Sequence, residues 1–103
     1  MAITNTRIST LNPTTVFEAA GQQAVTVIYL CNTTASPVSF SLFIIASPGI
    51  AGTSTAAYTL VEVTAYDTYV ISQESLILSS SDKIVVIGTV ADALTVTVSS
   101  ISV

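Results

Sequence analysis

Along most of this chain apolar and polar residues alternate at every second position, and no segment sustains the 3.6-residue period of an amphipathic helix. Val38, Phe40 and Leu42 alternate with Ser39 and Ser41, and Leu94, Val96 and Val98 alternate with Thr95 and Thr97. The pattern predicts strands over Ala2–Ser9, Thr15–Ala19, Ala24–Cys31, Val38–Ala46, Tyr58–Thr64, Thr68–Ser72, Ser75–Leu78, Lys83–Val90 and Leu94–Val103. In the first of these Ile8 shares a face with Thr4 and Thr6, and in the fifth Leu60 lies opposite Val61 and Val63. Residues that favour turns separate them: Leu11–Thr14, Gly21–Gln23, Asn32–Pro37, Ala65–Asp67, Ser79–Asp82 and Ala91–Ala93, with Ser47–Ala57 as the longest loop. Ala24–Cys31 and Val38–Ala46, joined by Asn32–Pro37, are predicted to pair as a hairpin. Turns at intervals of about 10 residues point to a single all-β domain over residues 1–103. The architecture expected is an antiparallel β-sandwich, Ig-like or jelly-roll-like, of about eight strands.

Several strands break the alternation. Val27–Cys31, Phe43–Ile45 and Ile84–Ile87 are apolar on both faces, which a two-sheet domain of 10.6 kDa has difficulty covering alone. Loops capping the outer faces are one explanation. Burial against other subunits is the favoured one, because contiguous apolar patches on monomers usually mark interfaces. The interface candidates are accordingly Ile28, Leu30, Phe43, Ile45, Ile84, Val86, Ile101 and Val103. The last two follow a phase change, since the apolar positions run 94, 96, 98 and then 101, 103. Either a bulge at Ser99-Ser100 restores the phase for the domain's own core, or Ile101 and Val103 face a neighbour.

Composition sharpens this picture. Charged residues make up 8% of the chain, none lies between Ala19 and Val61, and polarity comes from 16 Thr and 14 Ser. Ordinary soluble domains carry roughly 25% charge, and the buried centres of interfaces are depleted in it. With two basic residues and a net charge of −4, the chain has no means of neutralising a row of phosphates, so no nucleic-acid partner is expected. The most apolar stretch, Val38–Gly52, is interrupted by Ser39, Ser41, Ser47, Pro48 and Gly49, so no membrane-spanning helix is expected. Met1–Thr10 lacks the basic and apolar regions of a signal peptide, and the Asn32-Thr33-Thr34 triplet is read as a chance match to a glycosylation acceptor. Cys31 has no intrachain partner and is read as a small buried hydrophobe.

Catalytic chemistry is sparse. There is no His, so Ser/His/Asp and Cys/His relays cannot be built. The six acids are scattered, with Asp67, Glu74 and Asp82 beside turns and without the spacing of a calcium loop. Gly49 and Gly52 lack the Lys and helix of a phosphate-binding loop. No enzyme activity, cofactor or metal is expected. Tyr58, Tyr66 and Tyr69 offer the one alternative, a stacking platform for a sugar or host-surface ligand.

Five segments also resemble a known group. Met1–Thr10 (MAITNTRIST), Ala24–Thr34 (AVTVIYLCNTT), Val63–Ser72 (VTAYDTYVIS), Leu76–Gly88 (LILSSSDKIVVIG) and Leu94–Val103 (LTVTVSSISV) resemble small virion structural proteins of tailed bacteriophages, notably those of cyanobacterial phages. The resemblance covers nearly the whole chain and consists of strand and turn patterns, with Ser81 standing where that group usually has Gly. It implies a compact β-sandwich found in the virion and assembled in the host cytoplasm, whose partners are other virion proteins and further copies of itself. Related modules serve as capsid decoration (cement) proteins, which is the role favoured for this chain, or as tail, neck or fibre-associated components.

Overall fold

Nine strands and no helix form among the described residues, which in this computed structural model are 2–47, 49–52, 55–72 and 76–102. The strands are β1 (Ala2–Ile8), β2 (Thr14–Glu18), β3 (Gln23–Asn32), β4 (Val38–Ile45), β5 (Ala56–Val63), β6 (Thr68–Ile71), β7 (Leu76–Leu78), β8 (Lys83–Gly88) and β9 (Leu94–Ser102). They form two antiparallel sheets packed face to face. Sheet A has the order β1-β9-β3-β6, with β7 also paired to β3, and sheet B has the order β2-β8-β4-β5. β6 and β7 lie along the same edge of β3, pairing its residues 28–31 and 23–25 respectively, so they act as one interrupted strand.

The pairing is nested. β1 pairs β9, β2 pairs β8, β3 pairs β6 and β7, and β4 pairs β5. Contacts of β9 with β3 and of β8 with β4 then join these pairs into the two sheets. One long hairpin rolled across two sheets is the jelly-roll arrangement, and it differs from the strand order of the Ig fold. It also corrects one expectation. β3 and β4 do not form a hairpin, because Asn32–Pro37 carries the chain from sheet A to sheet B.

The core lies between the sheets and is built from one phase of each strand. Ile8, Ile28, Leu30, Phe40, Leu42, Ile84, Val86, Leu94, Val96 and Val98 are all essentially inaccessible. Each side chain of this size contributes about 1.5–3 kcal/mol on burial. Thr4 and Thr6 share the inward face of β1 with Ile8, opposite Val98, Val96 and Leu94 of β9. Ser100 is buried on the same face.

Bulges adjust the phase where strict alternation would break it. In β2 the register slips at Val16, and both Val16 and Phe17 enter the core. In β3 it slips at Thr26, so that Val25 and Ile28 both point inward. In β5 it slips between Tyr58 and Val61, where Leu60 takes a φ of 49° and turns outward. The bulge considered at Ser99-Ser100 is absent: β9 pairs with β1 in unbroken register from Leu94 to Ser100. The irregularity lies across the ladder, in β3.

Ser81 has a φ of 73°, the left-handed region that Gly enters without a Cβ penalty. Its amide bonds to Ala19 O at 2.8 Å, and the Asp82 amide bonds to Ser79 O at 3.0 Å, closing the turn between β7 and β8.

Candidate interaction surface

The two sheets treat their outer faces differently. On sheet B the outward residues Phe43, Ile45 and Val85 form a second buried cluster, with Ala51 and Ile87 packed against it. The cover is the chain's own loop between β4 and β5. Gly49 N donates to Ala46 O at 2.8 Å, Ile44 N to Thr55 O at 3.1 Å, and Gly52 N to Thr55 Oγ1 at 3.0 Å. Ser47 N donates to Asp82 Oδ1 at 2.9 Å, fastening the start of the loop to the β7–β8 turn. A Cβ at Gly49 would stand 2.9 Å from Ala46 O and 3.2 Å from Ile45 Cγ2, so the loop approaches the sheet closely because this residue has no side chain.

Among the described residues nothing covers sheet A in this way. Cross-strand register places Ile101, Ala24 and Ile77 in one outward row, then Ile3, Ser99 and Val27, then Asn5, Thr97, Tyr29 and Val70, and last Arg7, Thr95, Cys31 and Thr68. Ile3 (66%), Ile77 (63%), Val70 (48%), Tyr29 (42%) and Ile101 (37%) are exposed there. Half-buried Val27 and Cys31 and buried Ala24 fill the ground between them. The remaining positions are mostly hydroxyls and one amide, and Thr97 Oγ1 donates to Asn5 Oδ1 at 2.8 Å. Arg7 is the one charged residue in these rows, and it stands at the end of the face. Its guanidinium donates to Asp92 O and to Thr95 Oγ1 at 3.3 Å, and its Nε is 3.8 Å from Asp92 Oδ1.

The seven candidate interface residues that are described fall into three groups. Ile28, Leu30, Ile84 and Val86 belong to the domain's own core, at 0–1% exposure, and cannot meet a partner in the folded state. Their strands are apolar on both faces, and the phase that carries these four residues is the inward one. On β3 the outward phase is Val27, Tyr29 and Cys31. Phe43 and Ile45 do point outward, but Ala51 of the β4–β5 loop packs against them, so loop capping is the explanation for sheet B. Ile101 stands exposed on sheet A. Val103 lies outside the described residues. Tyr29 and Val70, absent from the candidates, were detectable only once the pairing of β3 with β6 fixed which phase looks out.

Other sequence readings are also placed. Cys31 is half-buried on the outer face of sheet A instead of being a core residue. Tyr58 and Tyr69 do not join Tyr66 in a platform. They pack with Phe40 between the sheets, with ring centroids 5.6–6.5 Å apart, while Tyr66 stands exposed in the β5–β6 turn. Asn32 is wholly buried, so its amide is not presented as a glycosylation acceptor in the folded domain. Asn32 Nδ2 faces Ser36 O, Val63 O and Thr64 O at 2.8, 3.0 and 3.2 Å. Its Oδ1 accepts from Thr34 N at 2.9 Å and Thr34 Oγ1 at 2.7 Å.

Among the described residues no three His, Cys, Asp or Glu side chains gather as a metal site, and no helix is long and apolar enough to cross a membrane. An open groove of about 400 Å³ runs between β1 and β2, lined by Thr4, Thr6, Phe17, Glu18 and Ser100 among others. Ser100 Oγ is buried there without a hydrogen-bond partner. Among the described residues Asp82 is the one acid whose pKa departs clearly from the ordinary value. Hydrogen bonds from the Ser47 and Ser79 amides hold it below the usual carboxylate range, and slight desolvation opposes them.

No protein-family model, curated protein or solved structure matches this chain. The fold and its surface therefore define a class, a jelly-roll sandwich with one self-covered sheet and one bare, nearly uncharged sheet.

Proposed function

We propose that this chain is a non-enzymatic structural subunit of a tailed-phage particle, most closely a capsid decoration protein, whose contacts with neighbouring subunits run through the outer face of sheet A. The observation that carries the reading is the contrast between the two outer faces. The same molecule that folds a loop over Phe43, Ile45 and Val85 leaves Ile3, Tyr29, Val70, Ile77 and Ile101 exposed on the outer face of the other sheet. Exposed apolar patches of this kind are uncommon on monomers and mark contact surfaces. Further support comes from low charge, which suits an interface centre, and from the jelly roll, an architecture shared by many capsid and lectin domains. That last point is an analogy of fold. The preference for the capsid over the tail comes from the sequence resemblance.

The mechanism is adhesive. Each copy makes a modest contact, and attachment to a lattice of repeated sites raises the effective concentration of every further contact. The test is immunogold electron microscopy of purified particles with antibody raised against this chain. Gold over the capsid shell is expected. Gold confined to the tail would overturn the decoration role, and its absence from the whole particle would overturn the virion reading.

A further inference from the structure

We infer that the outer face of sheet A is where two copies of this chain pack together, sheet on sheet, about a two-fold axis near Tyr29 and Thr97. The inference rests on reading this face as the contact surface and names its first occupant.

Area is the first argument. The strands of this sheet, β1, β9, β3, β6 and β7, hold 7, 9, 10, 4 and 3 residues, so at about 3.3 Å per residue and about 4.8 Å per strand the face covers roughly 500 Å². Closing all of it against an identical face removes roughly 500 Å² from each copy, or about 1,000 Å² in all, the least that a specific interface needs.

Charge is the second argument. At a net charge of −4, two copies repel each other through most of their surfaces. Glu18 and Glu62 lie on the outward phase of sheet B, opposite Lys83 and Ser39, while Asp67, Asp82 and Asp92 lie in turns. No acid occurs in the outward rows of sheet A among the described residues. Its one ion, Arg7, is already engaged with Asp92 at the end of the face. Among the described residues, this is the face whose strand rows can meet those of a second copy without setting acid against acid.

Shape is the third. An isologous contact needs a surface that complements itself. Rows of Ile, Val, Tyr and Thr on a sheet without an overlying loop meet that need, at the roughly 10 Å spacing of stacked sheets. Tyr29 lies on an interior strand, where the two copies of β3 cross.

Sedimentation velocity of the full chain over a concentration series provides the test. A monomer–dimer equilibrium is expected, and labelling of Cys31 by a maleimide should slow as the dimer fills, because the thiol lies in the contact. Tyr29→Glu and Val70→Glu, both at exposed positions, are expected to weaken association about tenfold or more while leaving the melting transition nearly in place. Leu60→Glu, at an exposed site on the other sheet, should leave association unchanged. A chain that stays monomeric to about millimolar concentration, or a dimer that both sheet A variants leave intact, overturns the inference. The two readings fail separately. If the isolated chain is monomeric but Cys31 is protected in assembled particles, self-pairing is wrong and the face meets another virion protein. If Cys31 stays reactive in particles and Tyr29→Glu is incorporated like the wild type, the contact surface itself has been misassigned.

Discussion

The Asp82 carboxylate holds the Ser47 amide at 2.9 Å and so ties the loop that covers sheet B to the turn that begins β8. Its other oxygen accepts the Ser79 amide at 2.9 Å, so one side chain fixes two connections 32 residues apart in sequence. Both bonds favour the charged form, and this sets a pH dependence. The folded pKa is lowered from 3.8, so the stabilisation is fully present above the unfolded value and is lost as pH falls through the folded one. Asp82→Asn should therefore melt below the wild type at pH 7, and the difference should close in acid below the lowered pKa. Thermal melts from neutral pH down to the acid transition check this.

Asn32 carries a larger share of the energy because it is fully buried. Asn32→Ala leaves the carbonyls of Ser36, Val63 and Thr64 without their shared donor and releases the Thr34 hydroxyl. A loss of about 3 kcal/mol is expected, since each buried group left unpaired costs about 1–3 kcal/mol and part of the loss is recovered by water. Urea denaturation followed by circular dichroism would measure it.

Ser81 predicts a change in the opposite direction. A non-Gly residue in the left-handed region costs roughly 1–2 kcal/mol, and Gly loses about 0.5–1 kcal/mol through its freer unfolded chain. Ser81→Gly should raise stability by up to about 1 kcal/mol, and a higher urea midpoint at unchanged slope would show it.

The two outer faces should respond in opposite ways to truncation. Phe43→Ala removes the centre of a covered cluster and should cost about 2–4 kcal/mol, near the lower end of buried Phe truncations. Tyr29→Ser removes an exposed ring and should change the monomer's stability by no more than about 0.5 kcal/mol. Equal losses in denaturation experiments at monomer concentrations would contradict the distinction between a covered and a bare sheet.

The strands were readable in the sequence because turn residues such as Asn32–Pro37 and Ser79–Asp82 bracket them clearly. Their facing was readable only where polarity marked it, as in Val38–Leu42 and Leu94–Val98. Val25–Cys31 and Ile84–Ile87 carry apolar residues in both phases, so alternation could not say which phase looks inward, and the bulge at Thr26 shifted the answer again. The cover over Phe43 was hidden for a different reason. The 46–55 loop has no periodicity, and its fit depends on a missing Cβ at Gly49 and on Asp82, which is remote in sequence. The β3–β4 hairpin was expected because neighbours in sequence often pair, whereas the jelly roll sends β4 to the other sheet.

The nested pairing also governs how quickly the molecule can form. β4 and β5 are the innermost pair and close across one loop, whereas Asn5 meets Thr97 only after a loop of more than 90 residues has closed. Such long-range closure places the fold among slow, high-contact-order proteins that fold in milliseconds to seconds. Sheet A cannot be complete until β9 is in place, because β9 joins β1 to β3. During that interval the edges of these strands and the surface around Tyr29 are open to other chains, so the order of folding events sets the window for misassembly.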